Sequence, residues 1–175
     1  MPHFHENTFE PAKFLRDNIM LLPKGRAIDV AMGNGRNAVF LAKMGFAVEG
    51  VDISPDAVKT ALEAARDAGV AIKADVANLE GDYRIKASAY DVIICFRYLQ
   101  LSLIPQIKEG LRRGGMVVYE TFTVEQVRFG KPSNPEYLLK YNELLHLFLD
   151  FRCRFYQEGI LETGKAMARL IAEKL

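Results

Sequence analysis

The sequence has little cysteine, no excess of either charge and no long apolar run, and each shortage removes a class of protein. Cys95 and Cys153 are the only cysteines in 175 residues. Both fall in apolar or strand-like stretches, where a cysteine is ordinarily a buried thiol and not half of a disulfide. A reducing, cytoplasmic setting is therefore expected. Lys and Arg total 23 against 22 Asp and Glu, a formal net charge of +1, with both signs mixed along the chain. There is no basic stripe or tail, which argues against nucleic acid as a partner. No apolar run approaches bilayer length and the polar stretch 1–10 does not resemble a signal peptide, so no membrane partner is expected. His3 and His5 form only an H-x-H pair and His146 sits in a leucine-rich helical stretch, too few ligands for a metal site. Repeats, low-complexity tracts and linkers are also missing. The length suits one domain over 1–175, with 1–25 as a cap-helix region and 26–175 as the core, working as a monomer or homodimer.

What is present is an alternation of strands and helices. Residues 10–22 carry apolar residues at helical spacing, with Pro11 in the first turn and Pro23-Lys24-Gly25 as the stop. Residues 26–32 (RAIDVAM) read as a buried strand, followed by Gly33-Asn34-Gly35 and a helix to about Met44. Residues 46–53 form a second strand. Ser54-Pro55-Asp56 is a helix start, with Ser54 as N-cap, and that helix ends at Gly69. A short third strand covers 70–74. The run 90–96 (YDVIICF) is apolar almost throughout, as a parallel strand covered on both faces must be. A helix over 102–112, a turn at Gly114-Gly115, a strand over 116–121, a helix over 136–149 and two closing strands, 151–160 and 166–174, complete the pattern. The expected fold is α/β: a three-layer, Rossmann-like sandwich around a mostly parallel seven-stranded sheet with an antiparallel closing strand. Such sheets bind ligands outside the carboxyl ends of their central strands.

The stretch from Gly33 to Ala38 fits G-x-G-x-x-A, and Asp52 follows at the distance of a ribose-binding acid. On its own this admits a nicotinamide-dinucleotide oxidoreductase fragment as well as an S-adenosylmethionine enzyme. Asp29, just before the loop, would oppose a pyrophosphate but suits a ligand with an ammonium and a sulfonium. Asp75, after the third strand, can accept a hydrogen bond from an adenine amino group. The chain also leaves no room for a second domain to hold a hydride acceptor.

The run 27–54 (AIDVAMGNGRNAVFLAKMGFAVEGVDIS) resembles the cofactor-binding region of class I S-adenosylmethionine-dependent methyltransferases, especially the tellurite-resistance-like or methyltransferase-domain group. Similarity continues through Phe96-Arg97-Tyr98-Leu99, Leu111 to Gly115, Tyr119 to Phe122 and Phe129-Gly130-Lys131-Pro132 with Asn134-Pro135. The resemblance implies that Asp29, Gly33 and Gly35 line the methionine moiety. It implies further that Asp52, with Ile53 beside it, holds the ribose, that Asp75 and Val76 frame the adenine, and that Phe96 lies at the cofactor's edge. Ala31 departs from the commonest pattern, which has glycine there. An alanine requires φ below zero at little cost to binding.

Methyl transfer from a sulfonium needs alignment, with reacting atoms about 3–3.5 Å apart, more than it needs a metal or a covalent nucleophile. Acceptor residues must come from the loops after the first, fourth and fifth strands. Arg97 fits an anionic acceptor, the cofactor carboxylate or a structural salt bridge, and Tyr98 shapes the pocket or packs under the cap. Glu120 and Thr121 offer a base or plain hydrogen bonds. Residues 128–134 (RFGKPSN) read as a lid or a simple loop, and Arg36 and Asn37 as cleft or capping residues. A small-molecule acceptor is expected. A catalytically silent cofactor-binding protein stays open as an alternative.

Overall fold

A computed structural model describes residues 9–175. His3 and His5 lie outside them. The sheet is built from β1 (Arg26–Val30), β2 (Ala47–Asp52), β3 (Lys73–Val76), β4 (Tyr90–Phe96), β5 (Leu111–Phe122), β6 (Arg152–Ile160) and β7 (Ala166–Glu173), in the spatial order β3-β2-β1-β4-β5-β7-β6. The first five strands are parallel, and β7 runs antiparallel to both β5 and β6. Chain order reverses between β1 and β4, which leaves a crevice at their carboxyl ends.

The alternating side chains of β4 explain why it sits at the centre. Val92, Ile94 and Phe96 enter a core shared with α1 (Lys13–Asn18), α2 (Arg36–Lys43) and α3 (Pro55–Asp67). Ile93 and Cys95 enter the opposite core, shared with α4 (Ile104–Gly110) and α5 (Glu143–Leu147). A strand buried on both faces has no polar side, hence its unbroken apolar sequence. Ser54 caps α3 as expected, its Oγ accepting from the Ala57 N–H at 3.2 Å, with Pro55 in the first turn. The N-terminal helix is shorter than its periodicity suggests. It starts at Lys13, after Pro11, and ends in a 3₁₀ turn over Ile19–Leu21.

Three elements differ from the sequence reading. β3 lies at Lys73–Val76 and not at 70–74, because the Val70 N–H still bonds the Ala65 carbonyl to close α3. β5 begins at Leu111, and Gly114-Gly115 makes an irregularity inside the strand, where pairing jumps from Tyr90↔Leu111 to Val92↔Met116. The helix expected over 136–149 does not form. Pro135–Tyr137 is one 3₁₀ turn, and Asn142 turns the chain with φ 61 into the short α5. Between them Leu138 and Leu139 are buried and extended: the Leu139 N–H bonds the Phe122 carbonyl, and its own carbonyl accepts from Val124. Pairing with the end of β5 outweighs helical propensity here.

Gly35, expected to line the cofactor, answers to packing instead. It caps α2 with φ 83, and a Cβ built on it would lie 2.5 Å from Cβ of Ala61 on α3. Gly35→Ala is therefore expected to cost about 2–4 kcal/mol in urea unfolding, from backbone strain and overpacking together. Adding Ala61→Gly should recover the packing part and leave the strain.

Candidate active site

Two cavities open on the crevice and meet at Ala31 and Arg97. The first, of about 370 Å³, is bordered by Asp29, Gly33, Asn37 and Phe96. Asp29 is 2% exposed, and among the described residues its Oδ2 has no hydrogen-bond partner. Burial pushes its carboxyl up to about 8, against the Ala38 N–H and the Arg36 charge, which favour ionisation, while the Asp52 charge adds to the rise. A buried carboxyl oxygen left without a donor, beside an open cavity, is suited to a cation that brings its own N–H groups. The second cavity, of about 430 Å³, runs from Asp52, Ile53 and Asn78 across Tyr98 to Phe122 and Tyr137.

Ala31 is in the left-handed region, with φ 56. The expectation of a negative φ is thus corrected: β1 has to break off sharply here, and alanine accepts the strain where glycine would carry none. Gly33 also has positive φ, 57, with open space where a Cβ would be, so it is glycine for its backbone and not for want of room.

Asp52 ties the crevice floor together. Its Oδ2 accepts from the Gly33 N–H at 2.8 Å and its Oδ1 from the Ser54 N–H at 2.9 Å. A carboxylate has lone pairs beyond these two, and they are available to a diol. Ile53 is 65% exposed on the cavity rim, an apolar side chain turned towards the ligand space.

Asp75 and Val76, expected to frame the adenine, do not reach the crevice. Both are exposed and neither borders the cavity; Ala77, Asn78 and Leu79 do. The cause is the later register of β3, which pairs Val76 with Asp52 and so carries the strand's carboxyl end two residues further than 70–74 implies. The Ala77 N–H then bonds the Asp52 carbonyl at 2.9 Å.

The loop after β4 is held from below. Tyr119 Oη and Cys95 Sγ both donate to the Tyr98 carbonyl, at 2.8 and 3.6 Å. Burial pushes the Cys95 thiol up to about 12 and the Tyr119 phenol well up, so both stay protonated donors and Cys95 is no nucleophile. Burial also pushes the Tyr98 phenol up to about 12. It donates to Gln100 Oε1, and Gln100 Nε2 in turn reaches the Leu79 carbonyl, so Tyr98 is a fixed wall and not a base. Arg97 has φ 56 and gives its N–H to the Glu120 carbonyl at 2.8 Å. Its side chain is exposed and, among the described residues, forms no ion pair.

Glu120 is not placed to act as a base. Its carboxylate pairs with Arg169, directly opposite on β7, and Arg169 also holds Glu162 at 2.8 Å. Both partners in the Glu120–Arg169 pair are buried, so either would be costly to leave alone. Of the expected lid over 128–134, only Pro132 borders the cavity. That segment is fixed by the buried Gln126, whose Nε2 reaches the Lys131 carbonyl and whose Oε1 accepts from the Ala166 N–H. Asn37 likewise anchors the cap: the Ala12 N–H bonds its Oδ1 at 2.8 Å. Phe122 at the end of β5, and Gln126 and Tyr137 in the 3₁₀ turns that follow it, were not legible as site residues, since long-range packing brings them there. The Asn134-Pro135 turn was their only local signal.

Residues 27–115, over half of the chain, match the family model described as a methyltransferase domain. The chain is 27% identical over 174 residues to hemagglutinin 1 of Eikenella corrodens, covering 91% of this chain and 55% of that protein. It spans about half the length of this curated relative. Among solved structures, TehB from Haemophilus influenzae superposes with a TM-score of 0.73 at 20% identity, over 93% of this chain and 61% of TehB. Geranyl diphosphate C-methyltransferase from Streptomyces coelicolor gives 0.71 at 17% identity, over 93% and 79%. Those likenesses are of fold. The family match goes further: this chain belongs to the methyltransferase-domain family.

Ala31→Gly is expected to relieve the left-handed strain and stabilise the protein by about 1 kcal/mol, a Tm rise of about 2–4 °C by differential scanning calorimetry.

Proposed function

We propose that the chain transfers a methyl group from S-adenosylmethionine to a small-molecule acceptor by in-line displacement. The observation that carries this is the unpartnered, buried Oδ2 of Asp29 beside a cavity that is continuous, past Ala31, with the one bordered by Asp52. A ligand with an ammonium at one end and a ribose diol further along supplies what both acids lack. A pyrophosphate brings no cation or N–H donor to that oxygen and would oppose its ionised form, which disfavours a nicotinamide dinucleotide.

When bound, the cofactor supplies an activated methyl on a sulfonium. The protein's part is positioning. Asp29 would hold the ammonium, Asp52 the ribose hydroxyls, and Asn78 and Leu79 the base, with Ile53 and Leu99 as apolar flanks. Phe96 would close the methionine side. Arg97 and Tyr98 would stand where donor and acceptor meet, and Thr121, Phe122, Pro132 and Tyr137 would receive the acceptor. Tyr98, Cys95 and Glu120 supply no base, so an acceptor atom that is nucleophilic without losing a proton suits the site best.

Calorimetric titration with S-adenosylhomocysteine should show saturable one-site binding; a folded protein that binds none would overturn the proposal. Asp52→Ala should weaken that binding about ten- to a hundredfold and also lower stability by about 1–2 kcal/mol, since two backbone N–H groups lose their acceptor.

Proton linkage gives a separate test of Asp29. Its carboxyl is protonated in the folded protein up to about pH 8 but ionised in the unfolded chain above its ordinary range near 3.8. The unfolded state therefore binds fewer protons between these values, and stability without ligand falls as pH rises through that window. Docking an ammonium requires the carboxylate, so binding at pH 7 should release close to one proton and tighten towards about pH 8. Titrations in buffers of different ionisation enthalpy should show that release in the native protein and none in Asp29→Asn.

A further inference from the structure

A third cavity, of about 280 Å³, lies between the start of α1, the carboxyl ends of β4 and β5, and the first half of β7. It shares Arg97 with both cavities above and Arg36 with the methionine-side one. Its wall is cationic: Lys13, Arg16, Arg36, Arg97 and Arg169 face only two acids, Glu10 and Glu120. Some of that charge is already matched. Arg169 is held by Glu120 and Glu162, and Lys13 by Asp17 one helical turn on. Arg16 only approaches Glu10 and Asp17, at 3.9 and 3.8 Å, and Arg36 donates to the Glu10 carbonyl at 3.3 Å.

Among the described residues, and counting those neighbours, these five cations stand against four acids, Glu10, Asp17, Glu120 and Glu162. The excess falls at Arg97, whose backbone is pinned to Glu120 while its guanidinium is exposed without an ion pair among the described residues. On the other side of Arg97 the larger cavity is walled by Phe122, Pro132 and Tyr137. An apolar chamber and a cationic one thus meet at one arginine.

We infer that the methyl acceptor is an organic anion whose carboxylate or phosphate is taken by Arg97, with Arg36 and Arg16 behind it, and whose apolar body lies against Phe122, Pro132 and Tyr137. This rests on the methyl-transfer function proposed above. A guanidinium presents a planar fork that pairs both oxygens of such a group, which an amide or alcohol cannot match. The cofactor's own carboxylate shares this chemistry, since Arg36 and Arg97 also border the methionine-side cavity, and the test must separate the two sources.

The protein is titrated by calorimetry with phenylacetate, phenyl phosphate and the neutral phenylacetamide, with and without saturating S-adenosylhomocysteine. At least one anion should bind, with phenylacetamide weaker by about tenfold or more. Arg97→Gln should weaken the anion about tenfold and leave S-adenosylhomocysteine within about threefold, with Arg97→Lys in between. Equal binding of acid and amide, binding of neither anion, or an Arg97→Gln protein that binds anions normally would each overturn the inference. Loss of S-adenosylhomocysteine affinity with anion binding intact would do so too, and would assign Arg97 to the cofactor carboxylate. Arg97-dependent anion binding in a native protein that ignores S-adenosylhomocysteine would sink the methyl-transfer proposal while leaving the anion site standing.

Discussion

Two neighbouring parallel strands, β1 and β4, have to turn abruptly apart at their carboxyl ends, and the site depends on how they do it. The chain leaves β1 at Ala31 and β4 at Arg97, both with φ 56. Left-handed backbone at a residue with a Cβ costs about 1–2 kcal/mol, so two such residues on adjacent strands need support from their surroundings. β1 is fixed between β2 and β4, and the Met32 N–H is caught by the Val51 carbonyl. The Arg97 N–H is caught by Glu120 on β5. Flanking strands thus hold the two turns open, and both cavities have Ala31 and Arg97 on their walls.

Almost every polar group around that opening is spent on the protein itself. Asp52 joins the glycine loop to the head of α3, Tyr119 and Cys95 hold the Tyr98 carbonyl, Gln100 ties Tyr98 to the Leu79 loop, and Arg169 occupies Glu120. Against this background the unmet Oδ2 of Asp29 is conspicuous. An unsatisfied buried acceptor costs about 1–3 kcal/mol, and the protein meets the charge part of that cost by holding a proton. The cost is carried at the one place where a cationic ligand would remove it.

Much of this was legible in the sequence where local chemistry decides the outcome. Strand β4 announces itself because both its faces are buried, and Ser54-Pro55 because capping needs only three residues. The doubly wound order followed from such signals, and so did the placing of Asp29 and Asp52 at strand ends. Long-range pairing was not legible. Nothing near Glu120 names Arg169, which lies 49 residues on, so a base and a plain hydrogen-bonding role both stayed open for the glutamate. Nothing near Leu138 says that it will extend along the end of β5 instead of coiling. A slip of β3 by a few residues was enough to put Asn78 and Leu79, and not Asp75 and Val76, on the cavity wall. Gly35 matched a ligand-loop pattern, yet it is Ala61 that excludes a side chain there.

Charge shows the same limit most clearly, because the total of +1 conceals a separation across a few residues. Asp29 borders one cavity of the crevice as a buried carboxyl, and Arg97 stands where that cavity meets the other two, with Arg36 and Arg16 beside it. Opposite charges that could pair directly would cancel and leave no field for a ligand. Here Asp29 is buried with one oxygen unpaired, while the Arg97 guanidinium is exposed and, among the described residues, forms no ion pair. Away from bulk water such separated charges act more strongly on what lies between them than the same groups would on an open surface. One cleft thus carries a buried carboxyl and an exposed guanidinium, the arrangement that the proposed cationic methyl donor and anionic acceptor would each need.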